Sequence, residues 1–106
     1  MSQHIFHTKH NSIEITVVMG WDRPLQGYFM FIEAKGKKTE KFIYSNLDDP
    51  QLAEFGGFAS TIEPFVNKLN ELGIDVPLEM FQFVELDGAF NAGNNQVFYS
   101  AEGRIT

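Results

Sequence analysis

The stretch Val17–Phe31, VVMGWDRPLQGYFMF, decides how the chain reads. Two apolar runs flank a polar segment of Trp21, Asp22, Arg23 and Pro24, which holds the chain's only Trp and one of its two Arg. Upstream, Ile13, Ile15, Val17 and Met19 alternate with Glu14, Thr16 and Val18, the period of a strand with one buried face. Gly20 reads as its end. Pro24 fixes its own φ and drives Arg23 toward extended geometry, so Trp21–Arg23 is expected to form a defined hairpin tip that displays its side chains. Gly27 punctuates the exit. Tyr28–Ala34 (YFMFIEA) is apolar on both faces, as befits a central strand roofed by helices on one side.

Working outward, AKGKKTE is a hairpin connection, with Gly36 free to take positive φ and Lys37 and Lys38 suited to water. KFIYS (residues 41–45) follows as a strand, with Phe42 and Tyr44 on one face and Ile43 on the other. Before the central stretch, His4–Lys9 reads as a short strand at a loosely held terminus and Asn11 as a turn. After it, NLDDP (46–50) leaves the sheet, and Gly56-Gly57 limits residues 51–59 to a short turn and a loop. Ser60 stands three before Glu63 in capping-box spacing, and Ile62, Phe65, Val66, Leu69 and Leu72 recur at helical spacing up to Gly73, a C′ candidate. Pro77–Leu86 is expected as a second helix stopped by Asp87-Gly88. NAGNN (91–95) is a turn, QVFYS (96–100) a last strand, and the residues after Glu102 frayed. The expected fold is therefore α+β: an antiparallel sheet of four to five strands with two helices packed on one face, a single domain over residues 1–106.

Composition narrows the function classes. Hydrophobic residues make up 43% of the chain, with eleven Phe, enough to fill a core. There is no Cys, which removes disulfides, thiolate metal sites and Cys nucleophiles and suits a reducing, cytoplasmic setting. MSQHIFHTKH has no apolar run of a secretory leader, and no stretch has the roughly 18 apolar residues of a membrane helix. Residues 1–45 carry six Lys/Arg against four Asp/Glu (+2) and residues 46–106 two against ten (−8), together the net −6. Only Lys35, Lys37, Lys38 and Lys41 offer a basic face, so direct nucleic-acid binding is not expected.

Few residues are candidates for chemistry. His4, His7 and His10 are spaced by three, but on a strand His7 points away from the other two, and they read as exposed terminal histidines. Asp22, Asp48, Asp49 and Asp87 occupy turns, where Asp bonds nearby backbone; Asp22, Asp49 and Asp87 are the set a small metal-dependent enzyme would use. No glycine pattern matches a phosphate loop and no Ser or Thr lies in a nucleophile elbow. No cofactor, bound metal or catalytic residue is expected.

The remaining signal is for recognition. Trp21, Asp22, Arg23 and Tyr28 combine the residue types that most often anchor interfaces. Glu63, Glu71, Asp75 and Glu79, with Glu85 and Asp87, are expected to give the helices a negative face that attracts a basic partner. The expected function is a non-catalytic protein-interaction module, with self-association open. The alternative is an acidic inhibitor of the phage or plasmid type that occupies the nucleic-acid site of a basic target. On the first reading Trp21→Ala leaves the fold nearly intact and abolishes partner capture.

Overall fold

The computed structural model describes residues 1–35 and 41–105. Strands β1 (Ser2–His10), β2 (Ile13–Asp22), β3 (Gly27–Ala34) and β4 (Lys41–Ser45) precede helices α1 (Glu63–Leu72) and α2 (Leu78–Ala89), and β5 (Asn95–Ser100) and β6 (Gly103–Arg104) close the chain. The hairpin tip read at Gly36, Lys37 and Lys38 lies outside the described residues.

All six strands form one sheet in the order β4-β3-β2-β1-β5-β6. The first four make an antiparallel meander, and Asn11 and Ser12, both at positive φ, turn β1 into β2. The expectation of a wholly antiparallel sheet of four to five strands fails at the other end, where the sheet is mixed. The helix pair carries the chain back across the sheet, and β5 enters beside β1 in the parallel direction, as a crossover through helices permits. β6 pairs antiparallel with Tyr99 and Ser100, so the segment expected to fray is a sixth strand. The amino-terminal segment is no loose end: β1 is bonded on both sides, and Ser2, His4 and Phe6 are buried.

One face of the sheet meets the helices. Phe6, Ile15, Val17, Met19, Met30, Ile32 and Val97 form a single apolar cluster with Phe65 and Leu69 of α1 and Met80 and Val84 of α2. Burying each such side chain contributes roughly 1.5–3 kcal/mol, and this alternate-residue pattern holds the helices on that side. Gln3, Ile5, His7, Thr16, Val18, Phe29, Phe31 and Phe98 alternate onto the opposite face. Val18 and Phe29 are buried there but stand outside the helix-facing cluster.

Gly73 ends α1 with φ 74°, its N–H reaching Asn70 and Leu69 carbonyls, as its position suggested. The capping box at Ser60 and Glu63 does not form: Ile62 stands at the N-cap without a side-chain bond, and Pro64 in the first turn reduces the donors left to satisfy. Two glycines read as breaks lie inside elements. Gly20 lies within β2, where a Cβ would overlap the Ser2 carbonyl oxygen, and Gly88 lies within α2, where a Cβ would overlap the Tyr28 hydroxyl. Both mark close approach of one element to another.

Candidate functional site

The hairpin displays less than expected. β2 runs on through Trp21 and Asp22, and the turn is Arg23–Gln26, closed by the Gln26 N–H on the Arg23 carbonyl. Trp21 is only 8% exposed, and Asp22 and Tyr28 are buried with it. The indole packs edge-on against the Tyr28 ring at 4.9 Å, and its Nε1–H donates to Asn91 Oδ1 (3.0 Å), which also accepts from Gln26 Nε2 (2.7 Å). Asp22 Oδ1 accepts from the Leu25 N–H (3.2 Å), the local turn bond typical of Asp. Of the four expected contact residues only Arg23 is exposed. The expectation that the indole is free is overturned: period-2 alternation places Trp21 on the helix-facing side with Met19 and Val17.

Trp21 and Tyr28 instead form the floor of an open cleft of about 820 Å³ between the β2–β3 end and α2. Ser60, Gln82, Phe83, Glu85, Leu86, Gly88 and Ala89 complete its lining. Tyr28 donates its hydroxyl hydrogen to the Glu85 carbonyl (3.3 Å), tying this floor to the helix. Burial, with the nearby Glu85 and Asp87 charges, raises the Tyr28 phenol above its ordinary range, so the hydroxyl stays protonated as a donor.

Helix α2, LEMFQFVELDGA, is apolar nearly all round, a pattern normal for a helix enclosed on every side. Met80 and Val84 are buried, yet Leu78, Gln82, Glu85, Leu86 and Ala89, one helical stripe, face outward. Leu78 is 69% exposed, Leu86 44%, and Phe90 just past the helix 79%. The rim is acidic: Glu85 and Asp75 are exposed, and Glu79 occupies the first turn. Glu63 and Glu71 are exposed on α1, Glu71 paired with Lys68 (3.3 Å). The two cations of residues 46–106 are engaged, Lys68 with Glu71 and over the Tyr44 ring, and Arg104 over the Phe83 ring at 5.0 Å. Of the acidic residues expected to form a negative face, Glu63, Glu71, Asp75 and Glu85 are exposed, Glu79 is half-buried and Asp87 is turned to His4.

Asp87 belongs to a hydrogen-bonded chain with His4 and Tyr99, which no local sequence signal marks. His4 is 1% exposed; its Nδ1 lies 2.7 Å from the Tyr99 hydroxyl and its Nε2 2.5 Å from Asp87 Oδ2. Burial raises the Tyr99 phenol, against a lowering by Arg104 and with Asp87 and Glu79 adding to the rise. The phenol therefore keeps its proton, and because a carboxylate can only accept, His4 Nε2–H donates to Asp87. Carboxylate, imidazole and hydroxyl in line are the parts of a nucleophilic relay, but Tyr99 is buried and its ionisation opposed. The chain locks β1, β5 and α2 together. The expectation that the histidines are exposed holds for His7 and fails for His4, because His4 falls on the helix-facing parity of β1.

The carboxylates considered for a metal are dispersed. Asp22 bonds its own turn, Asp49 accepts from the Tyr44 hydroxyl (2.6 Å) and from Gln51 N–H, and Asp87 holds His4. Among the described residues no three His, Asp or Glu side chains gather as metal ligands, and no helix is long and apolar enough to cross a membrane. No protein-family model, curated protein or solved structure matches the chain.

Proposed function

We propose that this protein is a non-catalytic interaction module that receives a basic, amphipathic helix of a partner protein along α2. The observation that carries the reading is the outward stripe of α2. It leaves Leu78 and Leu86 in water, with Phe90 just past the helix, while Met80 and Val84 on the other side are buried. Apolar anchors beside a cleft floored by Trp21 and Tyr28 suit the helix-in-groove mode, in which residues at i, i+4 and i+7 of the incoming helix fill the groove. Glu79 and Glu85 on α2, with Asp75 just before it, select Lys or Arg at that helix's rim. The Cys-free chain fits a cytoplasmic setting.

The acidic-inhibitor reading uses the same surface, its target being a nucleic-acid-binding protein whose basic site the helix layer would occupy. It is the less supported of the two, because Asp87 and Glu71 are already paired and an apolar stripe divides the negative charge. A synthetic 18-residue Leu/Lys amphipathic helix titrated calorimetrically tests the proposal. It should bind saturably, lose Leu86→Glu as a receptor, and weaken without vanishing at about 0.5 M salt, where exposed charges are screened. Equal binding by Leu86→Glu refutes the apolar stripe as the anchor, and complete loss at 0.5 M salt favours the purely electrostatic inhibitor.

A further inference from the structure

The sheet face turned away from the helices carries a second surface. In register across four strands lie Phe98 of β5, Ile5 of β1, Val18 of β2 and Phe31 of β3. Phe98 is 37% exposed, and Ile5 and Phe31 are half-buried. Behind this row Phe29 stacks with Phe31 (6.4 Å). Ahead of it, His7 is bonded to Thr16 (2.9 Å) and Lys9 stands opposite Glu14.

We infer that this face pairs with the same face of a second copy, giving a two-fold dimer with the sheets stacked inside and the helices outside. The pattern is self-complementary. A two-fold axis along the strands, midway between β1 and β2, exchanges β1 with β2 and β5 with β3. Ile5 then meets Val18 of the second copy, and Phe98 meets Phe31. At one end Lys9 of each copy meets Glu14 of the other, the reciprocal contact of an isologous interface. Charge selects this face over the helix layer. Its rim balances Lys9 and Lys35 against Glu14 and Glu33, whereas pairing two helix layers would bring Glu79 and Glu85 against their own copies. Area permits it. Four strands at about 4.8 Å and seven residues at about 3.3 Å give a flat footprint on the order of 450 Å². Val18 (6% exposed) and Phe29 (3%) add little to it, so the contact is smaller than the ~800 Å² per partner of a standard interface, that of a weak dimer, and stacked sheets accept such packing at about 10 Å.

Sedimentation velocity on the full chain at about 100 μM, a range in which even a modest interface populates its dimer, should give twice the 12.1 kDa chain mass. Phe98→Glu should give the single-chain mass with an unchanged circular dichroism spectrum. Lys9→Glu should weaken association about tenfold or more, and the exchange Lys9→Glu with Glu14→Lys should restore it, because the two-fold contact is remade with its signs reversed. This exchange decides the matter even if Phe98→Glu does not fold. A wild-type monomer at that concentration overturns the inference. So does a dimer indifferent to Phe98→Glu, or an exchange variant as weak as Lys9→Glu alone.

Discussion

Asp87→Ala tests how the two layers are held together. The substitution leaves the His4 Nε2–H without its acceptor at a site 1% exposed, and it leaves the Tyr99–His4 bond in place. A buried donor stripped of its partner costs about 1–3 kcal/mol, and a buried pair that carries charge about 3–5. Asp87 keeps some access to water, so water can replace part of the lost bond, and about 2 kcal/mol is the expected loss. With a urea dependence of about 1–1.5 kcal/mol per molar for a chain of this size, the unfolding midpoint should fall by roughly 1.3–2 M. Asp87→Asn keeps an acceptor at the same place and should lose less than half as much. A coupling energy follows from the cycle with His4→Phe. The double variant should be less destabilised than the two single losses added, since the orphaned donor has gone with the ring. A midpoint shift under about 0.3 M for Asp87→Ala, within ordinary surface scatter, would refute the buried chain as a structural link.

Trp21→Ala should destabilise the fold by about 3–5 kcal/mol, as expected for a large buried aromatic and unlike an exposed tip residue; chemical denaturation measures it directly. Gly88→Ala discriminates helix propensity from packing. Propensity alone predicts a gain of about 1 kcal/mol, and overlap with the Tyr28 hydroxyl a net loss, which the sign of the midpoint shift decides. All three tyrosines, Tyr28, Tyr44 and Tyr99, have phenols raised above the ordinary 10.0, chiefly by burial. Between that value and their folded pKa values the unfolded state binds fewer protons than the folded one. Stability is therefore full below about pH 10 and falls as pH rises beyond it. Phenolate absorbance should accordingly appear only together with unfolding, and a folded protein already showing it at pH 10 would contradict their burial.

The meander was legible because its signals are local: alternation at Ile13–Met19, the apolar run Tyr28–Ala34 and the turn at Asn11 each act over a few residues. The helices were legible for the same reason, from the stripe Ile62–Leu72 and from Pro77. What failed was what depends on distant partners. Nothing near QVFYS tells whether it lies parallel or antiparallel, or beside which strand, since that is fixed by the helix crossover and by β1, over ninety residues away in the chain. Gly20 and Gly88 look like breaks until Ser2 and Tyr28 are placed beside them. Trp21 was read from residue type as a contact tip, whereas the strand's own alternation, carried two residues further, puts it under α2. The excess of Asp and Glu over Lys and Arg in residues 46–106 is read from the sequence directly. The apolar stripe of α2 is not, because a helix apolar all round does not reveal which side will be left in water.

The most direct test of the account is a map of backbone amide shifts in a ¹⁵N-labelled chain as the Leu/Lys helix is added. The perturbed signals should cluster on residues 78–90, Ser60 and the Trp21 indole, with β1 and β5 unmoved. Shifts concentrated on the opposite sheet face, or confined to Glu63–Glu71 of α1, would contradict it.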